Sequence, residues 1–344
     1  SNKPVAKNQQ PGSNKPVAKN QSGDSKPFRG SKNNTNTSHD SALEHMRGQE
    51  AYEKYLIPLI EFQYCDDSGE FSWPHGWAPT AGHVSRGQVR YAEQKGQNEQ
   101  GRKRGLLSRF FRQDEDSQDE DLANSGNSCE DTALIYSKKL VFGVFDGAGD
   151  EFSGKTASQK SSEAVGEYAK NYDIANPDNF VDALQSAKGA VTKGLAEVAK
   201  ENQIKLEIGG TTAVLVKVDR DSSGETIMHW ASVGDSRIYL INGKSVELIT
   251  KDECQGGNGS VLSNAIDNTS RKLKVEQKGT RSLAPGTIVV LCSDGITGDR
   301  GDELLSDEEV REAVLSANSS EEAVENLIKV ARKTDDRTAV VFKV

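Results

Sequence analysis

The stretch LVFGVFDGAGD, residues 140–150, decides how the rest of the chain is read. An apolar run rich in β-branched and aromatic side chains ends in Asp146, and glycines at 147 and 149 let the backbone turn sharply. A strand that stops there brings a carboxylate and a neighbouring main-chain carbonyl to its rim, where both can face one cation. Asp-Gly is also a common turn pair, so this stretch alone leaves a purely structural reading open.

The device recurs. TIVVLCSDG (287–295) ends in Asp294 and Gly295, SVGDSR (232–237) carries Asp235, KTDDRT (333–338) sets Asp335 just before the final apolar run, and GNSCED (126–131) ends in Asp131. All but the last-named sit at or beside the end of a strand-like run. Hard carboxylates with no His or Cys ligand among them suit Mg²⁺ or Mn²⁺ rather than zinc. The expectation is a two-metal phosphoester hydrolase.

Outward from these stations, alternation and apolar runs predict strands at 82–91, 132–136, 140–145, 211–218, 226–233, 237–241, 287–292 and 338–344. Helical spacing predicts helices over 153–172, 179–202, 306–317 and 320–333, the last two opening on serine caps with acidic first turns. Strands in blocks with paired helices between them are not the strict alternation of a dinucleotide-binding fold. They predict an α+β protein, a four-layer α-β-β-α sandwich with two mainly antiparallel sheets face to face and helix pairs outside.

The chain has 344 residues, of which 34% are hydrophobic, and much of the polarity is local. Residues 1–40 hold almost no large apolar side chains, and SNKPVAKNQ at Ser1 recurs at Ser13, so this segment is expected to be a disordered tail. Within 41–80, Tyr52, Tyr55, Leu56 and Leu59 share one helical face over 41–62, with Ser41 as N-cap. Such a face packs on the main domain or docks a partner. Trp73 and Trp77 then lie in a packed, irregular connection. The main domain is expected over 81–344, with a polar insertion at about 94–127 that runs from GRKRGLLSRFFR into DEDSQDED. The basic half could bind an anionic surface as an amphipathic helix, but the acidic half competes for the same charges, which favours a solvated loop.

A net charge of -9 and a pI near 5.3 give a nucleic-acid role no electrostatic support. Cys65, Cys129, Cys254 and Cys292 are far apart with no CxxC pair, which predicts a reducing, cytoplasmic setting. No apolar run reaches the roughly 20 residues a bilayer span needs. The chain begins at Ser1 rather than Met, so an upstream segment with its own anchor is compatible with the sequence.

Taken in order, the motifs E-D, V-F-D-G-x-G, G-G-T-T-A, V-G-D-S-R, S-D-G and a D-N-x-T-like element resemble the metal-dependent serine/threonine protein phosphatases of type 2C, the PPM family, over 82–344. The resemblance implies that Asp146 bridges two metals with the Gly147 carbonyl on the second ion, and that Asp294 and Asp335 ligate the first. It implies that Glu130 and Asp131 serve the second site or its water, and that Asp235 with Asp294 forms a third, weaker site. Gly209, Gly210, Thr211 and Thr212 would support close sheet packing. The implied enzyme is a monomer that takes Mg²⁺ or Mn²⁺; its substrates are phosphoserine and phosphothreonine proteins, attacked by a water between the ions without a phosphoenzyme.

Two departures stand out. Ala148 occupies the place where many members of the family have a His as candidate general acid. The phosphate-holding arginine expected shortly before the acidic pair is replaced by Gly126; GQVR makes Arg90 the substitute, with Arg86 next. Both give weight to a pseudophosphatase that binds without turnover, against which stands retention of every proposed metal carboxylate. His83 and His229 fall on predicted strands and are read as packed histidines, His39, His45 and His75 lie outside the motifs, and no G-x-S-x-G or cysteine-phosphatase loop supplies a nucleophile. The Gly- and Asn-rich stretch 252–271 is expected to be mobile and to border the cleft, and the 94–127 insertion to gate it.

Overall fold

Along Val141–Phe145 the side chains divide by parity: Phe142 and Val144 enter one apolar layer, Val141 and Phe145 another, and all are fully buried. A strand covered on both faces reads as an unbroken apolar run, and this one lies inside stacked layers. The computed structural model describes residues 54, 56–57, 60–65, 71–90, 92, 129–255, 261–299 and 303–344.

The strands are β1 (Glu61–Tyr64), β2 (Thr80–Val84), β3 (Thr132–Tyr136), β4 (Val141–Phe145), β5 (Gly147–Ala148), β6 (Gly210–Thr211), β7 (Ala213–Arg220) and β8 (Thr226–Val233). They continue with β9 (Arg237–Asn242), β10 (Ser245–Leu248), β11 (Cys254–Gln255), β12 (Val261–Leu262), β13 (Ile266–Asp267), β14 (Gln277–Ser282), β15 (Ile288–Cys292) and β16 (Arg337–Lys343). One sheet has the order β14-β8-β7-β4-β3 and the other β1-β2-β16-β15-β9-β10, with antiparallel pairing throughout. Phe142, Val144, Val214 and Val216 of the first sheet meet Val289, Leu291, Val340 and Phe342 of the second in a shared core.

The outer faces carry the helices α1 (Glu151–Asn171), α2 (Pro177–Glu201), α3 (Asp294–Thr297), α4 (Asp307–Leu315) and α5 (Ser320–Val330). Phe180, Leu184, Val191 and Leu195 of α2 close over Val141, Phe145, Ala213 and Leu215, while Val310, Val314, Val324 and Leu327 of α4 and α5 close over Val290, Cys292, Ala339 and Val341. This is the expected four-layer α+β sandwich. Helix starts follow the caps: Asp150 accepts from the Ser153 N–H at 2.8 Å, Asn176 precedes Pro177 at the first helical position, and Ser306 and Ser319 cap α4 and α5.

Two local readings change. The strand expected over 82–91 ends at Val84, and residues 86–90 are helical. The cause is a capping box that outweighs the weak alternation: the Ser85 N–H donates to Gln88 Oε1 at 2.8 Å and the Gln88 N–H to Ser85 Oγ at 3.3 Å. The helix expected over 41–62 is helical at Lys54 and Leu56, but Glu61–Tyr64 is a strand paired to β2, and its other residues lie outside the described ones. Pro58, in a sequence position that disfavours a continuing helix, precedes that change. Trp73 and Trp77 are packed as expected, Trp73 against Phe142 and Phe342. The 1–40 tail and the 94–127 insertion with its gating role also lie outside the described residues. Among the described residues no helix is long and apolar enough to cross a membrane.

Candidate metal centre

The register of the ladders brings the acidic stations together. Thr132 pairs with Phe145, so Asp131 just before β3 and Asp146 just after β4 stand side by side. In the facing sheet Cys292 pairs with both Ala339 and Arg237. The end of β15 therefore meets the starts of β16 and β9, and with them Asp294, Asp335 and Asp235.

The carboxylates are held by a hydrogen-bonded frame. The Asp146 N–H donates to Thr212 Oγ1 at 3.1 Å, the Thr212 N–H returns a bond to the Asp146 carbonyl at 2.9 Å, and the Thr211 hydroxyl donates to the same carbonyl at 2.8 Å. Asp336 accepts the Arg86 N–H on Oδ1 and the Glu130 N–H on Oδ2, each at 2.5 Å. Gly147 is required by crowding: a Cβ there would lie 2.6 Å from the carbonyls of Glu130 and Gly154. Gly209 meets α1 as closely, with a Cβ 2.5 Å from that of Ser153, so the close packing at this glycine is against a helix, where sheet packing was expected of the motif.

Burial and mutual repulsion push the acids upward. Asp146 titrates well above the usual carboxylate range, first through burial and then through Asp131, Asp294, Asp235 and Asp335. Burial, reinforced by Asp336, raises Asp131 to about 8, and burial with Asp294 raises Asp235 to about 6. Positive charge comes from two side chains: Lys333 Nζ stands 2.5 Å from Asp294 and 2.9 Å from Asp335, and Arg86 reaches Glu130 at 3.6 Å and Asp335 at 4.0 Å.

This donor set fits a hard divalent cation. Its ligand atoms are carboxylate oxygens, Asp131 Oδ2 is buried with no hydrogen-bond partner among the described residues, and Asp131 and Asp146 resist ionisation through burial and the repulsion of neighbouring carboxylates. Among the described residues no group of three or more His, Cys, Asp or Glu side chains surrounds one point in ligand geometry. The acids line a rim, and a lysine rather than a shared centre joins Asp294 to Asp335.

Of the residues expected from sequence, Asp131, Asp146, Asp235, Asp294 and Asp335 share this rim, with Glu130 and Gly147 beside Asp131 and Asp146. The arginine the structure brings to it is Arg86; Arg90 is exposed and has no ion pair to these carboxylates among the described residues. The stretch 252–271 borders Asp235, since the Glu253 carboxylate accepts the Gly234 N–H at 3.0 Å and Cys254 Sγ lies 3.3 Å from Asp235 Oδ2. His229 is a packed histidine bonded to Thr280 at 2.9 Å, as expected. Sequence reasoning missed Asp336 and Lys333. The doubled acid of TDDRT signalled the first; nothing in the pattern signalled the second.

Two solved phosphatase structures share this fold at low sequence identity. A bacterial serine phosphatase bearing an arginine-to-lysine substitution superimposes with a TM-score of 0.51 at 20% identity, over 63% of this chain and 92% of that one. The serine/threonine phosphatase of S. agalactiae gives 0.50 at 18% identity, over 64% and 95%. The catalytic domain of the serine/threonine protein phosphatase PstP in complex with two manganese ions gives 0.46 at 23% identity, over 63% and 91%. No curated protein matches the sequence significantly. The family model for protein phosphatase 2C matches residues 121–337, well over half of the chain, and the chain belongs to that family of serine/threonine protein phosphatases.

Proposed function

We propose that this chain hydrolyses phosphoserine and phosphothreonine in proteins with two divalent cations, Mg²⁺ or Mn²⁺, at the acidic rim. The observation that carries the reading is Asp146, half-buried just past a strand end and facing Asp131, Asp294, Asp235 and Asp335 from four other positions in the chain. Ions bound there acidify water and offset the charge of a phosphoryl group.

Asp294 and Asp335 would hold the first ion, Asp146 both, and Asp131, Glu130 and the Gly147 carbonyl the second; Asp235 with Asp294 would offer a third, weaker position. Thr211 and Thr212 fix the Asp146 backbone, and so its carboxylate, before substrate arrives. Arg86, two-fifths exposed and anchored through its own N–H to Asp336, orients the phosphate with its planar fork, a role that replaces the one expected of Arg90. Ala148 donates no proton, so the departing serine or threonine alkoxide takes one from water and leaves as the hydroxyl.

The net charge of -9 argues against nucleic acid as substrate, and Cys65, Cys129, Cys254 and Cys292, far apart in the sequence with no CxxC pair, fit a reducing, cytoplasmic setting. The chain acts as a monomer in this reading. The Lys333 bridge favours the second reading, a pseudophosphatase that holds a phosphoprotein without turnover. Phosphate release from a phosphothreonine peptide, with Mn²⁺, with Mg²⁺ and with EDTA, separates the two. Metal-dependent release supports the enzyme, and metal binding without release supports the pseudophosphatase.

A further inference from the structure

Asp294 and Asp335 are joined through Lys333, whose side chain is 17% exposed. The position of this lysine is built into the fold. Buried Arg337 donates from Nε at 3.3 Å and from Nη2 at 2.9 Å to the Lys333 carbonyl, and from Nη1 to the Ile328 carbonyl at 2.9 Å. The Lys333 backbone is thereby tied to α5 and β16, and only its flexible four-carbon stem is free to swing. Both acceptors are equally fixed: the Ser293 N–H donates to the Thr338 carbonyl at 3.0 Å, and the Asp336 N–H to Asp335 Oδ1 at 3.0 Å. Arg86 lies 4.0 Å from Asp335 Oδ1, and Lys333 is on Oδ2.

An ammonium group and a divalent ion compete for the same oxygens. The ion gains only the excess over the charge-assisted bonds it breaks, and a half-buried pair is costly to leave unmatched. Among the described residues no such cation joins Asp131 to Asp146, and Asp131 Oδ2 has no hydrogen-bond partner there. The two sides of the rim are therefore unequal.

We infer that Lys333 is a resident cation at the first-ion position, and that an ion reaches Asp294 and Asp335 only by displacing it. Loading is then stepwise, tight at Asp131 and Asp146 and weak at Asp294 and Asp335, which makes Lys333 the residue that sets the metal concentration at which the centre is complete. This rests on the reading of Asp294 and Asp335 as ion ligands.

The test is calorimetric titration of Mn²⁺ into the full chain and its Lys333→Gln variant, with folding checked by circular dichroism. The weaker of two Mn²⁺ sites is expected to tighten about tenfold or more in the variant, equivalent to about 1.4 kcal/mol, with the tighter site unchanged. Two sites of the same affinity in both proteins, or weaker binding in the variant, overturn the proposal alone. Absence of Mn²⁺ binding in both proteins overturns the metal reading with it. If the variant does not fold, acetylation footprinting of Lys333 in the unmodified protein decides. Labelling that rises with saturating Mn²⁺ supports displacement, and labelling that is unchanged contradicts it.

Discussion

Thr212 and Asp146 hold each other through a reciprocal pair of hydrogen bonds, the Asp146 N–H to Thr212 Oγ1 at 3.1 Å and the Thr212 N–H to the Asp146 carbonyl at 2.9 Å. The same hydroxyl meets Ser236 Oγ at 2.7 Å, one residue from Asp235. One threonine thus links two acidic stations. Thr212→Val keeps the shape and removes the hydroxyl, leaving a buried Asp146 N–H unpaired at a cost of about 1–3 kcal/mol. Thermal unfolding should show that loss, and kcat should fall more than KM rises. Unchanged stability and kcat would detach the threonine from the site.

The placement of Arg86 yields a second expectation. Arg86→Ala should raise KM for a phosphopeptide roughly tenfold or more, as loss of a charge-assisted contact worth about 1.5–3 kcal/mol implies, whereas Arg90→Ala should leave KM within about twofold. The reverse ranking in steady-state kinetics would return the phosphate to Arg90.

Carboxylates raised by burial make the metal-free protein sensitive to rising pH. The folded pKa values of Asp131, about 8, and Asp235, about 6, exceed those of an unfolded aspartate near 4, so the folded state binds more protons than the unfolded one between these values. Stability is complete below about pH 4 with respect to these groups and is lost as pH rises toward 8. Melting temperature in EDTA should therefore fall between pH 5 and pH 8 by this contribution, and excess Mn²⁺ should flatten or reverse the slope. A slope that is identical with and without metal would contradict the linkage.

Gly295 gives the sharpest steric test. A Cβ there would lie 1.7 Å from the Asp336 carbonyl, so Gly295→Ala must push α3 away from the turn that carries Asp335 and Asp336. The expected cost is about 1–3 kcal/mol or more, with weaker Mn²⁺ binding. A variant as stable as the parent would show that this turn adjusts without strain.

Much of the fold was legible because its central strands are buried on both faces. Val141–Phe145, Ala213–Val218 and Ile288–Cys292 read as apolar runs for that reason, and the serine cap at Ser306 marks a real helix start. Of the edge strands of the two large sheets, β3 was legible and the others were not. Gln277–Ser282 exposes a polar face and Glu61–Tyr64 is largely exposed, so neither shows the pattern of a packed strand. At the site, Asp146, Asp235, Asp294 and Asp335 announced themselves by their place beside strand ends, and Asp131 by the acidic pair it forms with Glu130. Asp336 was hidden beside Asp335, since only the register of β16 decides which acid faces the rim and which ties Arg86 to Glu130. Lys333 was hidden more deeply. A lysine two residues before an aspartate is ordinary in sequence, and its bridge to Asp294 across 39 positions exists only in the fold.

The central claim is that Asp146 gathers divalent ions at a rim built from separate strand ends. Anomalous diffraction from crystals of the chain grown in Mn²⁺ tests it most directly, with Asp146→Asn crystals beside it. The account predicts manganese peaks flanking Asp146, one toward Asp131 and one toward Asp294, and their loss in the variant. No manganese at Asp146 in the parent, or peaks that persist unchanged in Asp146→Asn, would contradict it.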